Sequence, residues 1–384
     1  MKKILFGNVV LPDKVIKNGQ LVIENGLISY TGKPRKEKYD DVSEIFEAKK
    51  GYIWPGLIDI HVHGSGGYDV MDGTGKSFSG MAKSLLQSGV TGFLATTITS
   101  SRGQLTDVLA KIAKWESSIG ESELIGVHIE GPWISRAFKG AHYQGYIRPP
   151  KASDAKWLYD LIKDKLKIVT LAPELPNAHE LINELIDLDV IVSIGHTDAS
   201  YSEMQCAVSL GASHITHTFN ALRGFTHKEP GVVGAALTME ELCCEVIADG
   251  IHVHPAAVKM LIEAKGTDKV ILISDGMRAV NMPDGEYKLG ELNVYVGNGK
   301  AILKNGKLAG SLLTLNKAVV NVMEYAGLPV YEAVKMASLN PARRLGLEKE
   351  TGSIEVGKRA NIIAVDENGE VEKVWMDGEE QSFN

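Results

Sequence analysis

Six side chains of metal-ligating type, His61, His63, Glu130, His196, His217 and Asp275, each stand where a short apolar run of the chain stops. Gly, Pro or another polar residue follows within a few positions. His61 and His63 flank a single valine, so in an extended strand their rings point to the same side. Imidazoles joined by carboxylates, with no cysteine among them, are the donor set of Zn2+ or Fe2+. An ion held by such donors acidifies water and polarises a carbonyl, which is the chemistry of hydrolysis. Taken singly, each of these residues reads as well as a hydrogen-bonded core or turn residue. Six of them at the ends of five strands read as one site.

The elements that must position them follow a simple alternation. Apolar runs at 57–61, 92–98, 124–129, 166–171, 190–194, 214–218, 245–248 and 270–273 are mostly followed by helix-like stretches such as 78–87, 104–116, 154–163 and 255–264. Strands alternating with helices indicate parallel pairing, and about eight such units indicate a closed (β/α)8 TIM-type barrel, here over 53–351. The rival, an open doubly wound sheet, expects a glycine-rich phosphate loop after its first strand. This chain has His61-Val62-His63-Gly64 there instead. In a barrel the carboxyl ends of the strands form the active-site face, where all six residues would meet. His128 lies two residues before Glu130, aimed the same way one layer deeper. His214 falls at the start of its strand, on the opposite, stabilising face; His227 and His254 read as structural or solvated.

The two ends of the chain, 1–52 and 352–384, read as short strands, with hairpin signals at Asn18-Gly19, Asn25-Gly26 and Asn368-Gly369. Neither end could bury a face alone, so the expectation is one small β-sandwich domain built from both termini.

Composition bounds the function. The 384 residues carry 44% apolar and 23% charged residues and a net charge of −7. This is a globular balance and not that of a nucleic-acid binder. Cys206, Cys243 and Cys244 make no disulfide framework, no signal-like segment opens the chain, and no apolar run reaches the ~20 residues of a membrane helix. A cytoplasmic enzyme with a small-molecule substrate, and neither nucleic acid nor membrane as partner, is the expectation.

Longer motifs carry a resemblance. Trp54-Pro55-Gly56-Leu57-Ile58-Asp59-Ile60-His61-Val62-His63-Gly64 and Asn340-Pro341-Ala342-Arg343-Arg344-Leu345-Gly346 resemble the opening and closing patterns of the amidohydrolase superfamily. His128-Ile129-Glu130-Gly131-Pro132-Trp133, Lys139-Gly140-Ala141-His142, Gly195-His196-Thr197, His217-Thr218-Phe219-Asn220-Ala221-Leu222, Asp249-Gly250-Ile251-His252 and Ser274-Asp275-Gly276 are similar to the N-acetylglucosamine-6-phosphate deacetylases. The resemblance covers nearly the whole chain, in order.

It implies hydrolysis of the acetamide of an N-acetylated amino-sugar phosphate, in amino-sugar catabolism and recycling. Glu130, His196 and His217 would hold the principal ion, and His61 and His63 a second, giving one or two ions per subunit. Asp275 would be acid/base and metal-facing, with His142 assisting catalysis. Ala141, His142, Asn220, Ala221, His252 and the Leu308-Ala309-Gly310 turn would contact substrate, and a homodimer is implied.

Two departures bear on this. Where the family has Arg before Glu-Pro-Gly, this chain has Lys228, which binds phosphate as a point charge without the two-pronged contact of a guanidinium. Arg223 is a second cation nearby. Asn361 replaces a common Asp near the final strands. The carboxylated lysine that many relatives carry after the fourth strand is absent from Leu171-Ala172-Pro173-Glu174, which leaves bridging to Glu130. Alternatives are the same chemistry on N-acetylgalactosamine 6-phosphate, another small amide, or a non-catalytic amidohydrolase-like scaffold. The last predicts lost ligands, and this chain keeps them.

Overall fold

The computed structural model describes residues 1–35 and 41–382. The expected small-domain ranges extend over 36–40 and 383–384, which lie outside the described residues. Eight parallel strands follow one another around a barrel: β1 (Leu57–Val62), β2 (Val90–Thr97), β3 (Glu123–Glu130), β4 (Leu166–Leu171), β5 (Ile191–Ile194), β6 (His214–Ile215), β7 (Cys243–Val246) and β8 (Val270–Leu272). Beyond β8 the chain returns to β1: the Asp275 N–H donates to the His61 carbonyl at 2.9 Å, and the His63 N–H to the Gly276 carbonyl at 2.9 Å. The strands read as unbroken apolar runs because helices cover one face and the barrel interior the other; every residue of β1 and β2 is buried.

A helix follows each strand: α1 (Gly75–Gln87), α2 (Arg102–Ile112), α3 (Ser153–Ile162), α4 (Ala178–Asp187), α5 (Tyr201–Ser209), α6 (Gly231–Thr238), α7 (Pro255–Lys265) and α8 (Leu315–Ala326). Their start signals are local. Thr74 with Ser77 and Ser200 with Glu203 form reciprocal caps, and α7 starts with proline after His254, whose ring accepts from the Ala256 N–H. In α2 the buried residues Leu105, Val108, Leu109 and Ile112 recur at helical spacing and face the barrel.

Both chain ends join one seven-stranded sheet. The long strand Val42–Pro55 pairs parallel with Lys2–Val10 and antiparallel with Ile362–Val365, and hands directly to β1 through Gly56. Leu5, Leu21, Ile53, Ile362 and Trp375 form its own core. Asn25-Gly26 makes a hairpin turn, with Asn25 at φ 52° and Gly26 at 83°. Asn18-Gly19 does not: it lies inside the strand Val15–Glu24, where Asn18 at φ 47° donates its N–H to Asn8 Oδ1 beside a register shift. The left-handed residue is absorbed by a bulge, and the turn falls at Leu11–Lys14.

A three-stranded antiparallel sheet, Gly285–Leu289, Leu292–Gly297 and Lys300–Leu303, interrupts the connection from β8 to α8. Leu289, Val294, Ala301 and Ala309 pack with Ile98 and Met277 in a separate cluster beside the carboxyl ends of the strands. Nothing in the reading of the sequence anticipated this piece.

Candidate metal centre

All six ligand-type residues meet at the carboxyl-end mouth of the barrel. Glu130 ends β3 and is fully surrounded. Its Oε1 stands 3.1 Å from Nε2 of His196, 3.0 Å from Nε2 of His217 and 3.5 Å from Nε2 of His61. Its Oε2 faces Nε2 of His63 at 3.2 Å and Nε2 of His142 at 3.3 Å. Asp275 Oδ1 lies 3.3 Å from His63 and 3.6 Å from His61. Among the described residues, potential ligand atoms gather as His61 with His63 and Asp275, and as Glu130 with His142 and His196.

The rings are held from behind. His63 Nδ1 meets the Thr96 carbonyl at 3.2 Å, and His196 Nδ1 the Phe138 carbonyl at 2.9 Å, so each neutral ring keeps its proton there and turns Nε2 to the centre. His61 Nδ1 meets Glu245 at 2.9 Å. The backbone is strained where the ligands leave the strands: His196, His217 and Asp275 have φ of 49°, 29° and 46°. Non-glycine residues rarely adopt these angles, and such outliers cluster at functional sites.

Burial sets the electrostatics, and the mutual contacts overturn it. Burial alone would raise the Glu130 carboxyl; His61, His142 and His196 instead hold it well below the usual range. Asp275 is likewise lowered, chiefly by His63 and His61. Burial would lower His61, but Glu245 and Glu130 lift it to about 9. His142 is pushed down to about 4 by burial and the neighbouring His196, so it stays neutral.

The donor set fits a divalent ion. Donor atoms about 2.0–2.1 Å from one ion stand roughly 3–3.4 Å from each other. His196 Nε2 and His217 Nε2 are 3.0 Å apart, with Glu130 Oε1 at similar distance from both. His61 Nε2 is buried and makes no hydrogen bond among the described residues, which suits a nitrogen that ligates a metal.

Of the residues expected to contact substrate, Ala141, His142, Asn220, Ala221, His252, Leu308 and Gly310 line the open cavity over the centre. Ala309 does not: it is fully buried in the cluster of the inserted sheet. Lys228 does not either. It is exposed on the loop from Gly224 to Lys228, which is tied off by the Thr226–Glu229 turn. Arg223 is held by Asp198 at 2.8 Å. His252 is fixed to Asp249 at 2.7 Å.

Two participants escaped the reading of the sequence. Glu245 and Asp59 are wholly buried inside the barrel. Asp59 accepts the N–H groups of His61 and Ser274, joining the first strand to the loop that carries Asp275. Each is a charged residue in an otherwise apolar strand, and that was the available signal. His214, expected on the stabilising face, turns inward to Glu245 at 3.1 Å because its two-residue strand aims it into the barrel.

The amidohydrolase family model matches residues 52–380. The chain is 40% identical over 368 residues to the N-acetylglucosamine-6-phosphate deacetylase of Bacillus subtilis, covering 94% of this chain and 92% of that one. It is 37% identical over 332 residues to an N-acetylgalactosamine-6-phosphate deacetylase of Escherichia coli O157:H7, covering 86% and 88%. A Mycobacterium smegmatis N-acetyl-D-glucosamine-6-phosphate deacetylase mutant, solved with N-acetyl-D-glucosamine-6-phosphate, superposes with a TM-score of 0.92 at 28% identity, covering 99% and 98%. With an eight-stranded parallel barrel, a terminal β domain and matches across nearly its whole length, this chain belongs to the amidohydrolase family.

Proposed function

We propose that the chain hydrolyses the acetamide of N-acetyl-D-glucosamine 6-phosphate to D-glucosamine 6-phosphate and acetate, in amino-sugar catabolism and recycling. The observation that carries this reading is the convergence of His61, His63, His196 and His217 on the two oxygens of Glu130, beneath a cavity open to a small molecule. Glu130, His196 and His217 would hold one ion, Zn2+ or Fe2+, and His61 with His63 would hold a second. Such an ion would supply Lewis acidity, polarising a carbonyl and making water acidic enough to lose a proton near neutral pH.

The protein's own groups do the rest. Asp275, kept ionised by its histidine neighbours, takes the proton of the attacking water and returns it to the sugar nitrogen as the C–N bond breaks. Neutral His142 donates from Nε2 to the carbonyl oxygen as negative charge develops there. His252 and the Leu308–Gly310 turn hold the sugar, so that the acetamide is presented to Asp275. With Lys228 exposed and Arg223 bound to Asp198, His252 is the phosphate-side contact within one chain, and a second copy in a homodimer would complete that subsite. Among the described residues no helix is long and apolar enough to cross a membrane; the cytoplasm is the proposed location.

The E. coli relative named for the galacto sugar, at nearly the same identity, favours one second reading, the same reaction on N-acetylgalactosamine 6-phosphate. Acetate release by the Zn2+- or Fe2+-loaded protein, measured on both sugar phosphates and on unphosphorylated N-acetylglucosamine, tests all of this. The gluco phosphate is expected to react fastest. Faster turnover of the galacto phosphate moves the assignment to that sugar. Equal rates with and without phosphate remove the phosphate argument, and no acetate from any substrate sinks the reaction.

A further inference from the structure

Beneath the ligand cluster, β7 carries Glu245 into the barrel interior with no exposed surface. Its carboxylate takes donors from two strands and a loop. Oε2 accepts from His61 Nδ1 at 2.9 Å and from the His217 backbone N–H at 3.1 Å, and Oε1 faces His214 Nε2 at 3.1 Å. A backbone N–H can only donate, so Oε2 is an acceptor, and His61 Nδ1 beside it donates to the same oxygen. The neutral ring of His61, the form that binds an ion, then carries its proton on Nδ1, with Nε2 bare and pointing toward Glu130 and Asp275. The corresponding tethers behind His63 and His196 are neutral backbone carbonyls. The one behind His61 is a side-chain carboxylate with no exposed surface, and a carboxylate acceptor at the far nitrogen makes an imidazole the stronger donor to an ion.

We propose that Glu245 is a positioning residue of the metal centre. It fixes the tautomer and raises the basicity of His61, and so sets the affinity of the His61/His63 position without touching ion or substrate. The inference rests on the metal-centre reading above and adds to it a dependence of one position on a buried charge.

Glu245→Gln separates this role from a merely structural one. The amide oxygen can still accept from His61 and from the His217 N–H, so geometry is kept while the charge is lost. The metal-free proteins are titrated with Zn2+ against a chromophoric chelator, and bound zinc per chain is counted after gel filtration. The wild-type chain is expected to take up two ions. The variant, melting within a few degrees of wild type when metal-free, keeps the tighter ion and binds the other ~10–100-fold more weakly. Glu245→Asp, which keeps the charge but withdraws it by one methylene, gives the same test with the same expected direction if the first variant does not fold. Wild-type affinity for both ions in a folded variant overturns the inference. So does equal weakening at both positions, as a structural role would give, or a wild-type chain that takes up one ion only. A wild-type chain that binds no zinc overturns the metal-centre reading instead.

Discussion

Thr99 grips His142 through one ring nitrogen: its backbone N–H lies 3.3 Å from Nδ1, and its hydroxyl 2.6 Å from the same atom. A backbone N–H can only donate, so Nδ1 accepts and the proton of the neutral ring sits on Nε2, which faces the cavity beside Glu130. His63 and His196 are held the opposite way, with protons turned outward to carbonyls and lone pairs turned in. Rings of one residue type are thereby sorted into ion ligands and a hydrogen-bond donor by what stands behind them.

Replacement of His142 by Gln is therefore expected to leave bound metal unchanged and to lower kcat by ~10²–10³, the usual loss for one donor to a developing oxyanion. Metal analysis and acetate release on the same sample check both halves. Loss of metal would make His142 a ligand and not a donor.

The stability of the metal-free protein should depend on pH in two directions. His61 is raised from 6.5 to about 9, so its contribution is complete below 6.5 and fades as pH climbs through 9. That displacement is worth on the order of 3 kcal/mol. Glu130 and Glu245 are depressed below 4.5, so theirs is complete above that value and fades in acid. His142, held down at about 4, adds a loss that begins as pH falls below 6.5, so melts of the chelated protein should give a highest Tm near pH 6.5, with a decline toward 9 and another in acid. Added Zn2+ should remove the alkaline decline, because binding needs neutral rings and releases their protons. A flat or rising Tm from pH 6.5 to 9 without metal would contradict the assignment of His61.

The eight strands and the ligand residues at their ends were legible because burial on both faces writes a strand as an apolar run, and the run stops where function begins. His61, His63, Glu130, His196, His217 and Asp275 all announce themselves that way. Glu245 and Asp59 do not, since a charge inside a strand reads as an interruption until the strand is rolled into a barrel and its interior partners are known. The inserted sheet was missed for a different reason: its strands are short and half-exposed, and their turns at Gly290 and Asn298-Gly299 look like ordinary loop punctuation. Asn18-Gly19 shows the converse error, a strong turn signal spent on a bulge.

Gly140 is a sensitive point. Its φ is 53°, and a methyl group there would sit 3.0 Å from Cε1 of His196. The ring cannot retreat without breaking the bond from Nδ1 to Phe138. Gly140→Ala should cost on the order of 1 kcal/mol in stability from the backbone conformation. It should also lower kcat tenfold or more by displacing a ligand ring, since misplacement by ~1 Å can cost 10²-fold. A thermal melt and a kinetic assay on the loaded protein measure the two effects. Unchanged turnover would show that the loop yields in place of His196.

Asp275 offers the sharpest separation of chemistry from structure. Its backbone closes the barrel, donating to the His61 carbonyl at 2.9 Å and accepting from Ser311 at 2.8 Å. Its φ of 46° lies in the left-handed region that Asn tolerates as well as Asp. Asp275→Asn thus keeps shape, loop and strand closure and removes only the charge and the ability to carry a proton. No side-chain contact links Asp275 to His196 among the described residues, so the ion proposed at Glu130, His196 and His217 should stay. Turnover should fall by ~10²–10⁴, the range for loss of a general acid–base group, and the acidic limb of the pH–rate profile should vanish with it. Near-wild-type acetate release by this variant would sink the acid–base assignment, whatever its metal content.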